Sequence, residues 1–262
     1  TFPDAIFRAY VKENFDTTAD DILTSSELAQ IKDIDVTGKG ISDLTGIQYF
    51  TQLTHLNCSD NELTTLDISQ NTRLSRLTCS NNKLTALNLQ QNTKLEYLDF
   101  QNNNLTTIDL NQNAWLRYLY CNDNHLTVLD ISKNLSLEYL DCSSNNLTKL
   151  DVQQNTALQE LNVSHNNLSE LDVRQNTALK TLRCSNNHLA KLDIQQNTEL
   201  TSLSCSENTY FIDTVNGTFD LSTLPDGFDS TKASNWEHAT VDGNTLTVTN
   251  PKADVTYTYD LG

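Results

Sequence analysis

The sequence predicts a solenoid of short leucine-rich coils, with a parallel β-sheet along one face and extended or turn-like backbone along the other. Three observations predict it. Leu recurs at 53, 74, 95, 116, 137, 158, 179 and 200, a spacing of 21 residues. A second Leu follows each of these after three residues, from Leu56 to Leu203, and an Asn follows each after eight, from Asn61 to Asn208. Between Leu and Asn runs one apolar column: Cys58, Cys79, Phe100, Cys121, Cys142, Val163, Cys184 and Cys205. A fixed period of this length marks a repeat architecture, in which no unit buries its apolar face alone and neighbours share a continuous core.

Before the array, residues 1–30 have no such register. Phe2, Ala5, Phe7, Tyr10 and Val11 fit an amphipathic helix that follows Pro3 and Asp4. Ser25 or Ser26, with Glu27, Leu28 and Ile31, fits a second, short one. The pair reads as a helical cap over the first coil, whose apolar end is otherwise open. Asp16, Thr18, Asp20 and Glu27 also occupy positions 1, 3, 5 and 12 of an EF-hand calcium loop. Asp21 stands where that loop needs Gly, and Thr18 has replaced a carboxylate. Calcium binding and a metal-free relic both stay open, and the two departures favour the relic.

Residues 31–208 form the array. Ile31, Ile34, Val36 and Ile41 read as a degenerate copy ahead of the eight regular ones. In L-x-x-L-x-C the alternation of apolar and polar residues is that of a short strand with one buried face. The Asn column falls where the strand turns away, and its amide is suited to satisfying backbone groups of neighbouring coils. The second half of the unit, L-x-x-L-D-I-x-x-N, is too short for a useful helix. Its Asp column (Asp67, Asp109, Asp130, Asp151, Asp172 and Asp193, with Asn88 substituting) reads as Asx turns.

This unit resembles the leucine-rich repeats of internalins, surface proteins of Gram-positive bacteria, and within them the variety with a ladder of cysteines in the strand. The resemblance covers about residues 31–208, and the N-terminal flank is similar to the caps of bacterial leucine-rich-repeat surface proteins. It implies a secreted or wall-attached bacterial protein used for adhesion, with an extracellular or cell-surface location. It transfers no binding residues.

After Asn208 the register is lost, and residues 209–262 read as a C-terminal β flank. Thr245–Thr249 and Val255–Tyr259 alternate like strands, Gly243-Asn244 reads as a hairpin turn, and Pro225, Gly227 and Pro251 punctuate the segment. Trp236 is the expected anchor. Cap and separate domain are both compatible with this pattern.

The six Cys share one strand column, in three adjacent couples. Parallel strands lie about 4.8 Å apart, but side chains that project in parallel keep their Cβ atoms farther apart than a disulfide wants. Phe100 and Val163 take the same column and can only pack, so buried free thiols are expected. No CxxC pair or converging His suggests zinc, and the five His are scattered.

The chain carries 17 Lys and Arg against 34 Asp and Glu, a formal charge of -17, which argues against nucleic acid and anionic lipid as partners. No apolar run is long enough to span a bilayer. With no Met and no export signal, the ends look like those of a processed or excised chain. Motifs of nucleophile elbows, phosphate loops, dinucleotide folds and zinc proteases are absent. Asp99 and Asp141 could suggest a glycosidase pair. Two coils separate them, about 9.6 Å, on an open surface without a pocket to shift a catalytic pKa. No enzyme, cofactor or metal is therefore expected.

The third, fifth and seventh positions of the strand unit should face out on the concave sheet. In the third and fifth columns, Tyr97, Tyr118, Tyr120 and Tyr139 fall in three consecutive coils, flanked by Asp99 and Asp141, with Arg76 on the N-terminal side. Tyr supplies a rigid apolar ring and a polar tip, and hot-spot aromatics cluster centrally in interfaces. The expectation is a monomeric module that binds a protein or glycoprotein on this patch, with a glycan also open. Alternatives are a structural stalk and a purely structural stack of aromatics across strands.

Overall fold

The computed structural model describes residues 2–18, 20, 23–189, 192–206, 208, 218–223, 231, 233–250 and 256–259, the last for backbone alone. Asp21, Pro225, Gly227, Pro251 and Val255, used above, lie outside them.

Each coil contributes one three-residue strand. They are β1 (Asp33–Asp35), β2 (His55–Asn57), β3 (Arg76–Thr78), β4 (Tyr97–Asp99), β5 (Tyr118–Tyr120), β6 (Tyr139–Asp141), β7 (Glu160–Asn162), β8 (Thr181–Arg183) and β9 (Ser202–Ser204). They pair in chain order into one nine-stranded parallel sheet. The register is strict: Leu56, Leu77, Leu98, Leu119, Leu140, Leu161, Leu182 and Leu203 align in one row, and the degenerate copy joins it through Ile34. From Leu56 to Leu182 that row is at most 1% exposed. The fold is a leucine-rich-repeat solenoid.

Two Asn columns hold the coils in place. In the first, Asn124 Nδ2 donates to the carbonyls of Phe100, Cys121 and Asn122, while its Oδ1 accepts from Leu105 N in the preceding coil. Asn82, Asn103, Asn145, Asn166 and Asn187 repeat the pattern. In the second, Asn113 Nδ2 donates to Leu89 and Asn92 carbonyls of the previous coil. The Asp column makes Asx turns, as where Asp130 Oδ1 accepts from Ser132 N at 2.9 Å.

Among the described residues the convex half carries no helix in the regular coils, as its length predicts. One short 3-10 turn, Ile47–Tyr49, follows the degenerate copy. Two outward expectations need correction. The seventh column faces out only in part: Ser59, Ser80 and Ser185 are buried, Gln101, Asn122, Ser143 and Ser164 half-buried and Ser206 exposed, and Ser80 Oγ donates to Ser59 Oγ at 2.9 Å. The chain is already bending there toward the left-handed residue that follows, such as Asp60 or Asn81. Asp99 is the second correction, taken up with the site below.

The N-terminal flank is helical. α1 (Ala5–Phe15) starts at Asp4, whose Oδ1 accepts from Ile6 N and Phe7 N, and its Phe7 and Val11 are buried. α2 (Ser25–Leu28) is closed by a capping box between Thr24 and Glu27. Phe2 lies against Gly46, where an added Cβ would collide with its ring. In the C-terminal flank the described strands are β10 (Thr218–Asp220), β11 (Ala233–Glu237), β12 (Ala239–Asp242), β13 (Thr245–Val248) and β14 (Thr256–Tyr259). β12 and β13 pair antiparallel across Gly243 and Asn244, β10 pairs with β13, and β11 pairs with β14. Trp236 is half-buried against Leu221, Ala239 and Leu246.

Candidate protein-binding face

Strand register places the tyrosines. Tyr97, Tyr118 and Tyr139 are Cα partners along the third column, and Asp99, Tyr120 and Asp141 along the fifth. Parallel in-register strands bring like columns within about 4.8 Å, close enough for rings to meet. They meet on the diagonal: Tyr97 and Tyr120 centroids lie 5.4 Å apart, and Tyr120 stacks on Tyr139 at 4.6 Å. Tyr118 joins Tyr97 at 6.0 Å. Arg76 closes the N-terminal end, its guanidinium carbon 3.5 Å above the Tyr97 ring. The structure therefore gathers all four tyrosines and Arg76 into one row.

Asp99 departs from the expectation of a solvated flanking acid. It is only 6% exposed, and its Oδ1 accepts from Gln101 N at 3.1 Å. Two large rings, Tyr97 in its own strand and Tyr120 beside it, shield what a small column neighbour would leave open. Burial raises its pKa, against the lowering by Gln101 and the nearby Arg76. Asp141 stays partly exposed, accepting from Ser143 N at 3.0 Å and Asn162 Nδ2 at 3.0 Å. Burial likewise raises Tyr97 and Tyr139, and it takes Tyr120 to about 12, with the neighbouring tyrosines and Asp99 adding to the shift. The hydroxyls are neutral donors and acceptors at physiological pH. Beside the row, Arg117 grips Glu138 through Nε at 2.9 Å and Nη2 at 2.7 Å, which orders the approach to Tyr118.

Hydrogen bonds tie the calcium-like residues to one another and to their neighbours. Glu27 spends both carboxylate oxygens on Thr17, Thr18 and Thr24, and the bonds from Thr17 and Thr24 hold its pKa down at about 2. Asp16 Oδ1 accepts from Thr18 Oγ1 and Asp20 N. Among the described residues no group of three or more His, Cys, Asp or Glu could hold a metal ion. All six thiols are free, five of them buried, and burial pushes Cys58 up to about 12. No described helix is long and apolar enough to cross a membrane.

Three exposed apolar side chains in the same coils were not singled out by the sequence: Trp115, 67% exposed, and Leu135, 56% exposed, on the turns that lead into the strands, and Val128, 64% exposed, on the convex half. A signal existed. The corresponding columns hold Thr at 72, 93, 156 and 177, and Arg73 or Lys94 at the next position, so Ala114-Trp115 and Leu135 break the repeat toward apolar residues at solvent-facing sites.

A leucine-rich-repeat family model matches residues 94–113, 136–154 and 157–175. A 71-residue stretch is 44% identical to Internalin J of Listeria monocytogenes serotype 4b, and equally to that of serovar 1/2a. The solved functional domain of Internalin J, which includes a cysteine ladder, superposes with a TM-score of 0.77 at 45% identity over 81% of this chain. This chain is an internalin-like leucine-rich-repeat protein. The superposed part of the chain spans about half (48%) of that solved domain, and the aligned stretch is 8% of Internalin J itself. A leucine-rich-repeat protein of Leptospira interrogans matches with a TM-score of 0.66 at 26% identity, covering 69% of this chain and 50% of that one. Internalin C2 of Listeria monocytogenes shares the fold, with a TM-score of 0.72 at 20% identity over 78% of this chain and 94% of that one.

Proposed function

We propose that the chain is a non-enzymatic binding module of a secreted or wall-attached bacterial surface protein, which recognises a protein or glycoprotein through its concave sheet in adhesion. Residues 1–30 serve as its helical cap, and 209–262 form a C-terminal antiparallel β flank. One observation carries the reading: four tyrosines from three adjacent strands form a continuous row with Arg76 at the middle of the sheet. Rings fixed against one another lose little conformational freedom on binding, which is what gives aromatic anchors their weight. The likeness to Internalin J supports a surface location. A stalk needs no such row.

The rings also stabilise the sheet, and the experiment separates the two roles. The chain and its Tyr118→Ala/Tyr120→Ala variant are screened side by side against host glycoproteins and glycans by surface plasmon resonance. Binding lost in a variant that keeps its far-ultraviolet circular dichroism supports recognition. Unchanged binding with a lowered melting temperature makes the row structural.

A further inference from the structure

The turn that leads into each strand forms a rim along the sheet, and the rim changes character in the middle of the molecule. Its last two positions are Thr72-Arg73 and Thr93-Lys94 ahead of β3 and β4. They become Ala114-Trp115 ahead of β5 and Leu135-Ser136 ahead of β6, then Thr156-Ala157 and Thr177-Ala178 ahead of β7 and β8. Four consecutive turns of a chain with a net charge of -17 therefore carry no charge at these positions. At coil spacing they make a strip about 14 Å long. Trp115 and Leu135 stand out from it into solvent, and Arg73 and Lys94, both exposed, lie at its N-terminal end.

Repeat logic gives no structural reason for this. Equivalent turns close with the same hydrogen bond whichever residues they carry: Leu116 N to Asn113 O and Leu137 N to Asn134 O, both 3.1 Å, match Leu158 N to Asn155 O at 3.1 Å beside Thr156-Ala157. An exposed Trp and an exposed Leu on successive turns cost solubility without contributing to the core, and apolar groups gathered on one surface mark interaction sites. Its position suits one kind of partner. The concave tyrosines offer edges and hydroxyls, because their faces are taken by one another and by Arg76. The indole of Trp115 has its faces open.

We propose that this rim is a second docking surface, which takes an extended polypeptide segment carrying an apolar side chain onto Trp115 and Leu135 and a carboxylate onto Arg73 and Lys94. The strip matches four or five residues of extended chain. Charge complementarity selects the acidic residue: two exposed cations end the strip in a molecule otherwise rich in acids. The inference rests on the reading of the chain as a binding module, but on residues that the concave row does not include.

The test uses peptides selected from a displayed random library on the full chain, with counter-selection on the Trp115→Ala/Leu135→Thr variant. Both side chains are solvent-exposed, so the variant keeps the fold. A leading peptide is then synthesised and titrated into the Trp236→Phe chain, where Trp115 is the sole tryptophan reporter. The expected result is an enriched motif with an apolar residue near Asp or Glu, a change in Trp115 emission, and affinity reduced at least tenfold by Trp115→Ala/Leu135→Thr. Lys94→Glu should weaken binding at least threefold, with the loss fading in high salt. Failure to enrich any peptide overturns the proposal, as does equal affinity for the variant, or binding confined to glycans on a parallel array. Affinity lost only in Tyr118→Ala/Tyr120→Ala sinks the rim and leaves the concave reading standing. Affinity lost only in the Trp115 variant supports the rim and leaves the concave row to its own screen.

Discussion

A single buried amide shows how this array is stabilised. Asn124 joins three carbonyls and one backbone N–H from two coils, and it is 4% exposed. Without it Leu105 N would be a buried donor with no partner, at about 1–3 kcal/mol, and the carbonyls of Phe100, Cys121 and Asn122, which also accept from Asn103, Asn145 and Asn102, would each lose one of two donors. Partial relaxation and water entry recover some of that cost. Asn124→Ala is therefore expected to lower unfolding stability by about 2–4 kcal/mol. Urea denaturation followed by circular dichroism measures it. Ala at Asn111, an exposed residue on the convex side, serves as the control and should change stability by less than about 1 kcal/mol. Equal losses at both positions would show that the column does not hold the coils together.

At the scale of the strand, the apolar column behaves as a packing element. Cys, Phe and Val alternate in one row of identical backbone geometry, all 0% exposed from Cys58 to Cys184. This could be read from the sequence, because Phe100 and Val163 in a cysteine column rule out a role that only sulfur can fill. The strands themselves were equally readable, since the period fixes their register without any long-range inference. Less readable was the local shielding that ring size creates. Alternation places Asp99 outward, and only the meeting of Tyr97 and Tyr120 around it makes it buried. The self-stacked arrangement of the tyrosines is likewise a rotamer outcome rather than a pattern in the chain. Replacing Phe100 with Cys restores the regular ladder but removes volume from a filled core, so it should cost about 2–4 kcal/mol by the cavity left behind. Thermal unfolding of Phe100→Cys, compared with the volume-conserving Cys121→Val at less than about 1.5 kcal/mol, checks the packing account. A stabilised Phe100→Cys chain would contradict it.

Across the whole molecule the two ends of the array differ. The first coil is covered by α1, with Phe7 at 0% exposure and Phe2 set against Gly46. At the other end β9 terminates the nine-stranded sheet, and its Leu203 is 37% exposed where the preceding members of its row are at most 2%. Cys205 is also the only ladder thiol that is partly exposed. In a solenoid each coil is stabilised through its neighbours, so a coil with one well-packed side opens first and the loss propagates inward. Native-state hydrogen exchange should then show protection falling from the central strands β4–β6 toward β9, with the N-terminal coils retaining protection under α1. Thiol labelling gives a second readout on the same sample: Cys205 should react in the folded chain, whereas Cys58, Cys79, Cys121 and Cys142 react only on unfolding. Uniform protection from β2 to β9, with Cys205 as slow as the others, would mean that the last coil is covered as fully as the first and that the array opens as one unit.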